Sequence, residues 1–168
     1  MKIIAAAVQM TSTTDMSSNI EKAVEFVSEA AAQGARLIAL PENWTYMRGS
    51  DDPPPAGLSL DGPELAAIRN IAKSQNVYIL AGTIPEAIPG SGKVYNTSVF
   101  YGPGGIYLAA YRKIHLFDIN LSHTEKYLES EHVEPGKEVV FADTEFGRAG
   151  LSVCYDLRFP ELYRALVD

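Results

Sequence analysis

Residues 94–112 read VYNTSVFY-GPGG-IYLAAYR, two runs rich in β-branched and aromatic residues joined by Gly102-Pro103-Gly104-Gly105. That pattern predicts a β-hairpin with strands over 94–101 and 106–112. The chain before it has a different rhythm. Residues 2–10 (KIIAAAVQM) suit a buried strand, and 18–33 place Ile20, Ala23, Val24, Val27, Ala30 and Ala31 on one helical face. Ser18-x-x-Glu21 predicts a capping box at the start of that helix, and Gly34 its end. Residues 36–40 (RLIAL) predict a short strand closed by Pro41. Residues 45–61, with Pro53-Pro54-Pro55, predict a loop. Pro63 fits the first turn of a second helix to about Gln75, and a strand follows over 77–84. Two βα units call for parallel strands and a hairpin for antiparallel ones, so the expected fold class is α/β with a mixed sheet. Beyond the hairpin, 113–137 read as polar and irregular. Short strands over 138–142 and 149–153 flank a turn at Glu145-Phe146-Gly147, and a helix begins near Pro160.

The chain has 168 residues, one domain at roughly 150 residues per domain. Its 21 acidic and 14 basic residues give a net charge of −7, which argues against nucleic acid or an anionic membrane as a partner through bulk electrostatics. No apolar run approaches the ~18–20 residues of a membrane span, and no secretory cleavage pattern follows Met1. The one cysteine, Cys154, excludes an internal disulfide and a cysteine-built metal cage. His115, His123 and His132 contain no i,i+4 pair of the kind that places two ligands on one helix face. The expectation is a cytoplasmic, metal-independent domain with one thiol.

Three ionisable residues stand at predicted strand ends, where an open α/β sheet presents its site. Glu42 follows RLIAL-Pro41, Lys113 follows Ala110-Tyr111-Arg112, and Cys154 follows Gly150-Leu151-Ser152-Val153. Taken singly, each has a plainer reading: a packed core thiol, a solvated loop acid, a surface lysine. Gly90-Ser91-Gly92-Lys93 carries part of a phosphate-loop pattern, but Ala87 stands where the upstream glycine belongs and Val94 where Ser or Thr belongs. A flavodoxin-like nucleotide binder needs a glycine-rich turn after the first strand, and Gln9-Met10-Thr11-Ser12-Thr13 has none.

The text around the three residues changes their weight. Leu40-Pro41-Glu42, then Tyr111-Arg112-Lys113-Ile114-His115-Leu116-Phe117-Asp118, then Gly150-Leu151-Ser152-Val153-Cys154-Tyr155-Asp156-Leu157-Arg158-Phe159-Pro160-Glu161 occur in that order. Together they closely resemble the nitrilase superfamily of carbon–nitrogen hydrolases. Secondary matches fill the gaps: Gln9-Met10, Gly82-Thr83, Tyr95-Asn96-Thr97-Ser98, and Glu129-Ser130 ahead of Glu134-Pro135-Gly136. The resemblance implies a four-layer α-β-β-α sandwich and a Glu42–Lys113–Cys154 catalytic triad. It further implies a small carboxy-amide and water as reactants, no metal or organic cofactor, and a homo-oligomer. In that chemistry Glu42 takes the thiol proton, while Lys113 and the backbone N–H of Tyr155 stabilise the oxyanion.

Glu129 matches a second acid that in this family lies near the nucleophile; a plain surface acid is the alternative. Asp156 and Arg158 are expected as partners in the turn after the nucleophile, or Arg158 meets a substrate carboxylate. Cys154-Tyr155-Asp156 differs from the Cys-Trp-Glu usual in true nitrilases. The amidase branch, with its deaminated-glutathione amidases and ω-amidases, is the nearer match. Family members continue well past the nucleophile, whereas this sequence ends 14 residues after it (154 to 168). The sequence is therefore expected to be the N-terminal part of an amidase domain, or alternatively a catalytically inactive binding or assembly module.

Overall fold

The computed structural model describes residues 2–49, 52–120 and 126–167; His123 lies outside them. Two βα units open the chain: β1 (Ala5–Ala7), α1 (Met16–Ala32), β2 (Leu37–Ala39) and α2 (Pro63–Gln75), leading into β3 (Tyr78–Ala87). The hairpin follows as β4 (Val94–Gly102) and β5 (Ile106–Arg112), with a 3-10 turn between them. These five strands form one sheet in chain order, β1-β2-β3 parallel and β3-β4-β5 antiparallel. The mixed sheet expected from the sequence is present.

Side chains alternate across that sheet with the strand period of two. Ile79, Ala81, Val99 and Tyr101 face a core shared with Ala23 and Val27 of α1 and Leu65 and Ile68 of α2. Tyr78, Phe100, Ala109 and Tyr111 face a second core on the other side. That core is completed by Ala142 of β8 (Phe141–Thr144), by Leu151 and Val153 after β9 (Gly147–Gly150), and by Leu162 of α3 (Pro160–Val167). The sheet is thus covered on both faces, which places its strand ends in the layer where a site can be built.

Four local expectations shift. The strand read over 2–10 narrows to Ala5–Ala7, because its parallel partner β2 offers only Leu37–Ala39 to pair with. Helix α1 starts two residues ahead of Ser18: Asp15 is the N-cap and its carboxylate accepts from Ser18 N at 3.0 Å. An Asp caps as well as a Ser, and the fully buried Asn19 fixes that entry by donating to Thr13 O and Thr45 O. The stretch 113–137 is not wholly irregular, since β6 (Asp118–Asn120) and β7 (Lys126–Leu128) pair antiparallel. Finally, β8 and β9 close directly on the turn at Glu145-Phe146, so Leu151–Val153 is buried backbone beyond the ladder rather than strand.

Candidate active site

Glu42 leaves β2 through a segment clamped to β3. Leu40 N donates to Leu80 O, the Trp44 indole donates to Ala81 O at 2.7 Å, and Asn43 N donates to Thr83 Oγ1 at 2.8 Å. This approach needs a glycine opposite. Gly82 sits at φ +50° in the irregularity of β3, and a Cβ there collides with the Pro41 carbonyl and the Trp44 ring.

Lys113 follows β5. Its N–H donates to Asn96 O at 2.9 Å and its carbonyl accepts from Gly136 N at 2.8 Å. Its side chain is 2% exposed and ends between two carboxylates, 3.0 Å from Glu42 Oε1 and 2.9 Å from Glu129 Oε2. Burial disfavours the ammonium, but Glu42 and Glu129 outweigh it and its pKa is raised. The preceding Arg112 bonds Glu86 through two nitrogens, at 2.6 and 2.7 Å, and lies over the Tyr95 ring.

Glu129 opens a 3-10 turn, Glu129–Glu131, directly after β7. Its Oε2 also accepts from Phe117 N at 2.7 Å. The segment carrying it is tied to the start of β4, where Lys93 Nζ donates to Ser130 O and Val94 N to His132 O.

Cys154 opens a 3-10 turn, Cys154–Arg158, with its own φ at +48°. A non-glycine residue in the left-handed region carries strain of roughly 1–3 kcal/mol and persists only where its surroundings impose it. Asp156 does so. This fully buried carboxylate accepts from Val153 N at 2.9 Å, Tyr111 Oη at 2.7 Å, His115 N at 3.0 Å and His115 Nδ1 at 2.7 Å. His115 stacks on Phe159 with 3.7 Å between ring centroids. The Cys154 turn is therefore fastened to the segment that carries Lys113. The exposed thiol of Cys154 is pushed up in pKa by partial burial and by the Glu42 carboxylate, against the Lys113 ammonium.

Glu42, Asn96, Lys113, Glu129 and Cys154 line one cleft of about 550 Å³, walled by residues including Tyr46, Tyr95, Phe117 and Tyr127. Tyr155 turns its ring toward Phe117 and Phe159, leaving its backbone N–H next to the thiol-bearing residue. Arg158 does not pair with Asp156, whose acceptor positions are taken by Tyr111, His115 and Val153. It is exposed, does not line the cleft, and makes no ion pair among the described residues. Two contributors escaped the sequence reading as site residues. Asn96 donates through Nδ2 to Glu42 Oε1 at 2.8 Å and to Glu129 Oε1 at 3.2 Å, and Asp156 joins two chain segments. The signal for Asn96 was a polar run, Asn96-Thr97-Ser98, inside a strand buried on both faces.

Among the described residues no cluster of three or more His, Cys, Asp or Glu is arranged to hold a metal ion, and no helix is long and apolar enough to cross a membrane. The profile of the carbon–nitrogen hydrolase family matches residues 4–168. A deaminated glutathione amidase of Synechocystis is 39% identical over 166 residues, covering 97% of this chain and 61% of the relative. Human omega-amidase NIT2 is 38% identical over 157 residues, covering 94% and 56%. Among solved structures, the Caenorhabditis elegans NitFhit protein superposes with a TM-score of 0.81 at 29% identity over 95% of this chain and 40% of its own. Saccharomyces cerevisiae Nit3 gives 0.76 at 30% identity, over 92% and 56%. The chain spans about three-fifths of the length of the curated relatives it matches. With its mixed α/β sheet and a match along nearly all its length, the chain belongs to the carbon–nitrogen hydrolase family of the nitrilase superfamily.

Proposed function

We propose that the chain carries the catalytic half of an amidase that splits a small carboxy-amide into an acid and ammonia, with Cys154 as nucleophile, Glu42 as base and Lys113 as cation. The observation that carries this reading is the convergence of a buried Lys113 with two carboxylates in the cleft that also holds a thiol on a strained turn. A thiol whose pKa is raised stays protonated near neutral pH, so attack requires a base at hand. Glu42 takes the proton as the sulfur–carbon bond forms. The carbonyl π electrons move to oxygen, where Lys113 Nζ and the Tyr155 N–H stabilise the charge. Collapse of the tetrahedral adduct breaks the carbon–nitrogen bond, and the nitrogen leaves as ammonia with the proton from Glu42. Water, deprotonated by the same carboxylate, then hydrolyses the thioester and frees the thiol.

Glu129 orients Lys113 in this scheme, supported by its contacts with Nζ through both oxygens. The family resemblance implies a small carboxy-amide, so deaminated glutathione, which one relative's name carries, and the 2-oxo acid amides that the resemblance to ω-amidases implies are the first to try. Self-association belongs to the same proposal, supported by the exposed apolar side chains of Leu157 in the nucleophile turn and Val167 at the end of α3.

The test is ammonia release from a panel of carboxy-amides, with Cys154→Ala as control and hydroxylamine added to trap the acyl group as a hydroxamate. Release and trapping that vanish in the alanine variant are expected. A folded protein that releases no ammonia from any amide of the panel and yields no hydroxamate refutes the reading.

A further inference from the structure

Four carboxylate oxygens, two from Glu42 and two from Glu129, share the cleft floor with two donors. Lys113 Nζ touches Glu42 Oε1 at 3.0 Å and Glu129 Oε1 at 3.2 Å, and Asn96 Nδ2 touches the same two oxygens at 2.8 and 3.2 Å. Donors and acceptors therefore alternate around a closed ring of four heavy atoms. Glu129 Oε2 is filled as well, by Phe117 N and Lys113 Nζ. Glu42 Oε2 is the one oxygen of the four that receives no N–H from the described residues.

Asn96 itself shows what it is oriented for. It is 4% exposed and its Oδ1 is buried without a hydrogen-bond partner among the described residues. Buried amide oxygens are ordinarily paired, so an orphan calls for a reason. Turning the amide over sets its oxygen against two carboxylate oxygens, acceptor against acceptor. The carboxylates thus fix the amide, and its carbonyl is left over. The backbone leaves little room to adjust, since Lys113 N donates to Asn96 O and β4 is paired on both sides.

We infer that Asn96 is a positioning residue of the hydrolytic site: by pinning Oε1 of Glu42 it leaves Oε2 as the oxygen that exchanges protons with the Cys154 thiol and the attacking water. The inference rests on the proposed role of Glu42 as base. It also separates the two acids, since Glu129, with both oxygens bonded to N–H groups, has no free oxygen to act as one. The charged and titratable groups around Glu42 are Lys113 after β5, Glu129 after β7 and Cys154 before α3; Arg48, Lys126, Glu131 and His132 also line the cleft.

The experiment compares ammonia release across pH for the full chain and for Asn96→Ala, Asn96→Ser and Glu42→Gln. Asn96→Ala is expected to lower kcat about tenfold with KM changed by no more than about twofold. It should also move the acid limb of the profile upward, because an N–H donated to the carboxylate is gone. Asn96→Ser keeps a hydroxyl donor and should recover part of both effects; it decides the matter if the alanine variant does not fold. A loss that is uniform at every pH, with the acid limb unmoved, makes Asn96 a structural residue and overturns the inference. If Glu42→Gln still hydrolyses amides, the base assignment fails and the inference falls with it. If Glu42→Gln is dead while both Asn96 variants keep the parent profile, only the role of Asn96 is wrong.

Discussion

Replacing Asp156 by Asn isolates what holds the Cys154 turn. The substitution conserves shape, removes the charge and turns one acceptor oxygen into a donor. Oδ1 of Asp156 accepts from His115 N and Nδ1, and Oδ2 accepts from Tyr111 Oη and Val153 N. An Asn presents an oxygen to one pair and an NH2 group to the other. If the NH2 faces Tyr111, the phenol can rotate to accept, but Val153 N–H is left facing a donor. If it faces His115, the imidazole can change tautomer, but the His115 N–H is stranded instead. In either orientation one backbone N–H aimed at the buried side chain loses its partner, which costs about 1–3 kcal/mol. The remaining bonds also lose the assistance of the charge. The expected destabilisation is about 2–4 kcal/mol. Urea unfolding followed by tryptophan fluorescence reads it as a lower midpoint at unchanged slope, because Trp44 is fully buried. An Asp156→Asn protein within about 0.5 kcal/mol of the parent refutes the claim that this carboxylate imposes the strained turn.

Three further expectations follow from the same geometry. The pH at which iodoacetamide labels Cys154 should lie above that of an ordinary thiol, because burial and Glu42 raise its pKa. Lys113→Met should move it higher and Glu42→Gln lower; shifts in the opposite directions contradict that account. Gly82→Ala forces a Cβ into the Pro41 carbonyl at a left-handed φ, so a loss of about 2–4 kcal/mol is expected in the same unfolding assay. A neutral effect shows that the Glu42 segment is not held as described. Burial alone raises the pKa of Glu86, but hydrogen bonds from Arg112 and Thr97 outweigh it and the net shift is downward. Its stabilising effect is complete above the unfolded value of about 4.3 and fades as pH falls through the lower folded value. Glu86→Gln should therefore flatten the loss of stability on acidification, and an unaltered acid slope argues against the pairing.

The hairpin over 94–112 and the two βα units were legible because their side-chain periods are local. Pro63 at a helix start and the turn at 102–105 belong to the same local kind. Strand lengths were not, since β1 is limited by how much of β2 it meets, a matter of pairing rather than of composition. The pair β6 and β7 sat unseen in a polar stretch because neither three-residue strand alternates long enough to register. Glu42, Lys113 and Cys154, which line one cleft, stand out in the sequence through their surrounding text, and their spacing alone says little. Asn96 and Asp156 act through distant partners: Asn96 reaches Glu42 across 54 residues, and Asp156 reaches Tyr111 across 45. Arg158 and Asp156 are expected as partners in the turn, whereas the buried carboxylate is satisfied by Val153 N within the turn and by Tyr111 and His115 far upstream.

The joining of Glu42 to Lys113 across 71 residues also sets an order in time. Glu42, Asn96, Lys113 and Glu129 are all synthesised before Cys154, which stands 112 residues after Glu42 (154 − 42). At roughly 5–20 residues per second, translation separates those two residues by about 6–22 seconds. Strand pairing and loop closure finish within microseconds to milliseconds of becoming possible. The last of the floor residues, Glu129, precedes Cys154 by 25 residues (154 − 129), or about 1–5 seconds of synthesis, so the acidic floor can assemble before the thiol leaves the ribosome, and Cys154 then emerges into surroundings that raise its pKa. Because oxidants attack the thiolate, the order of residues along the chain helps to shield a lone cysteine during its own biosynthesis.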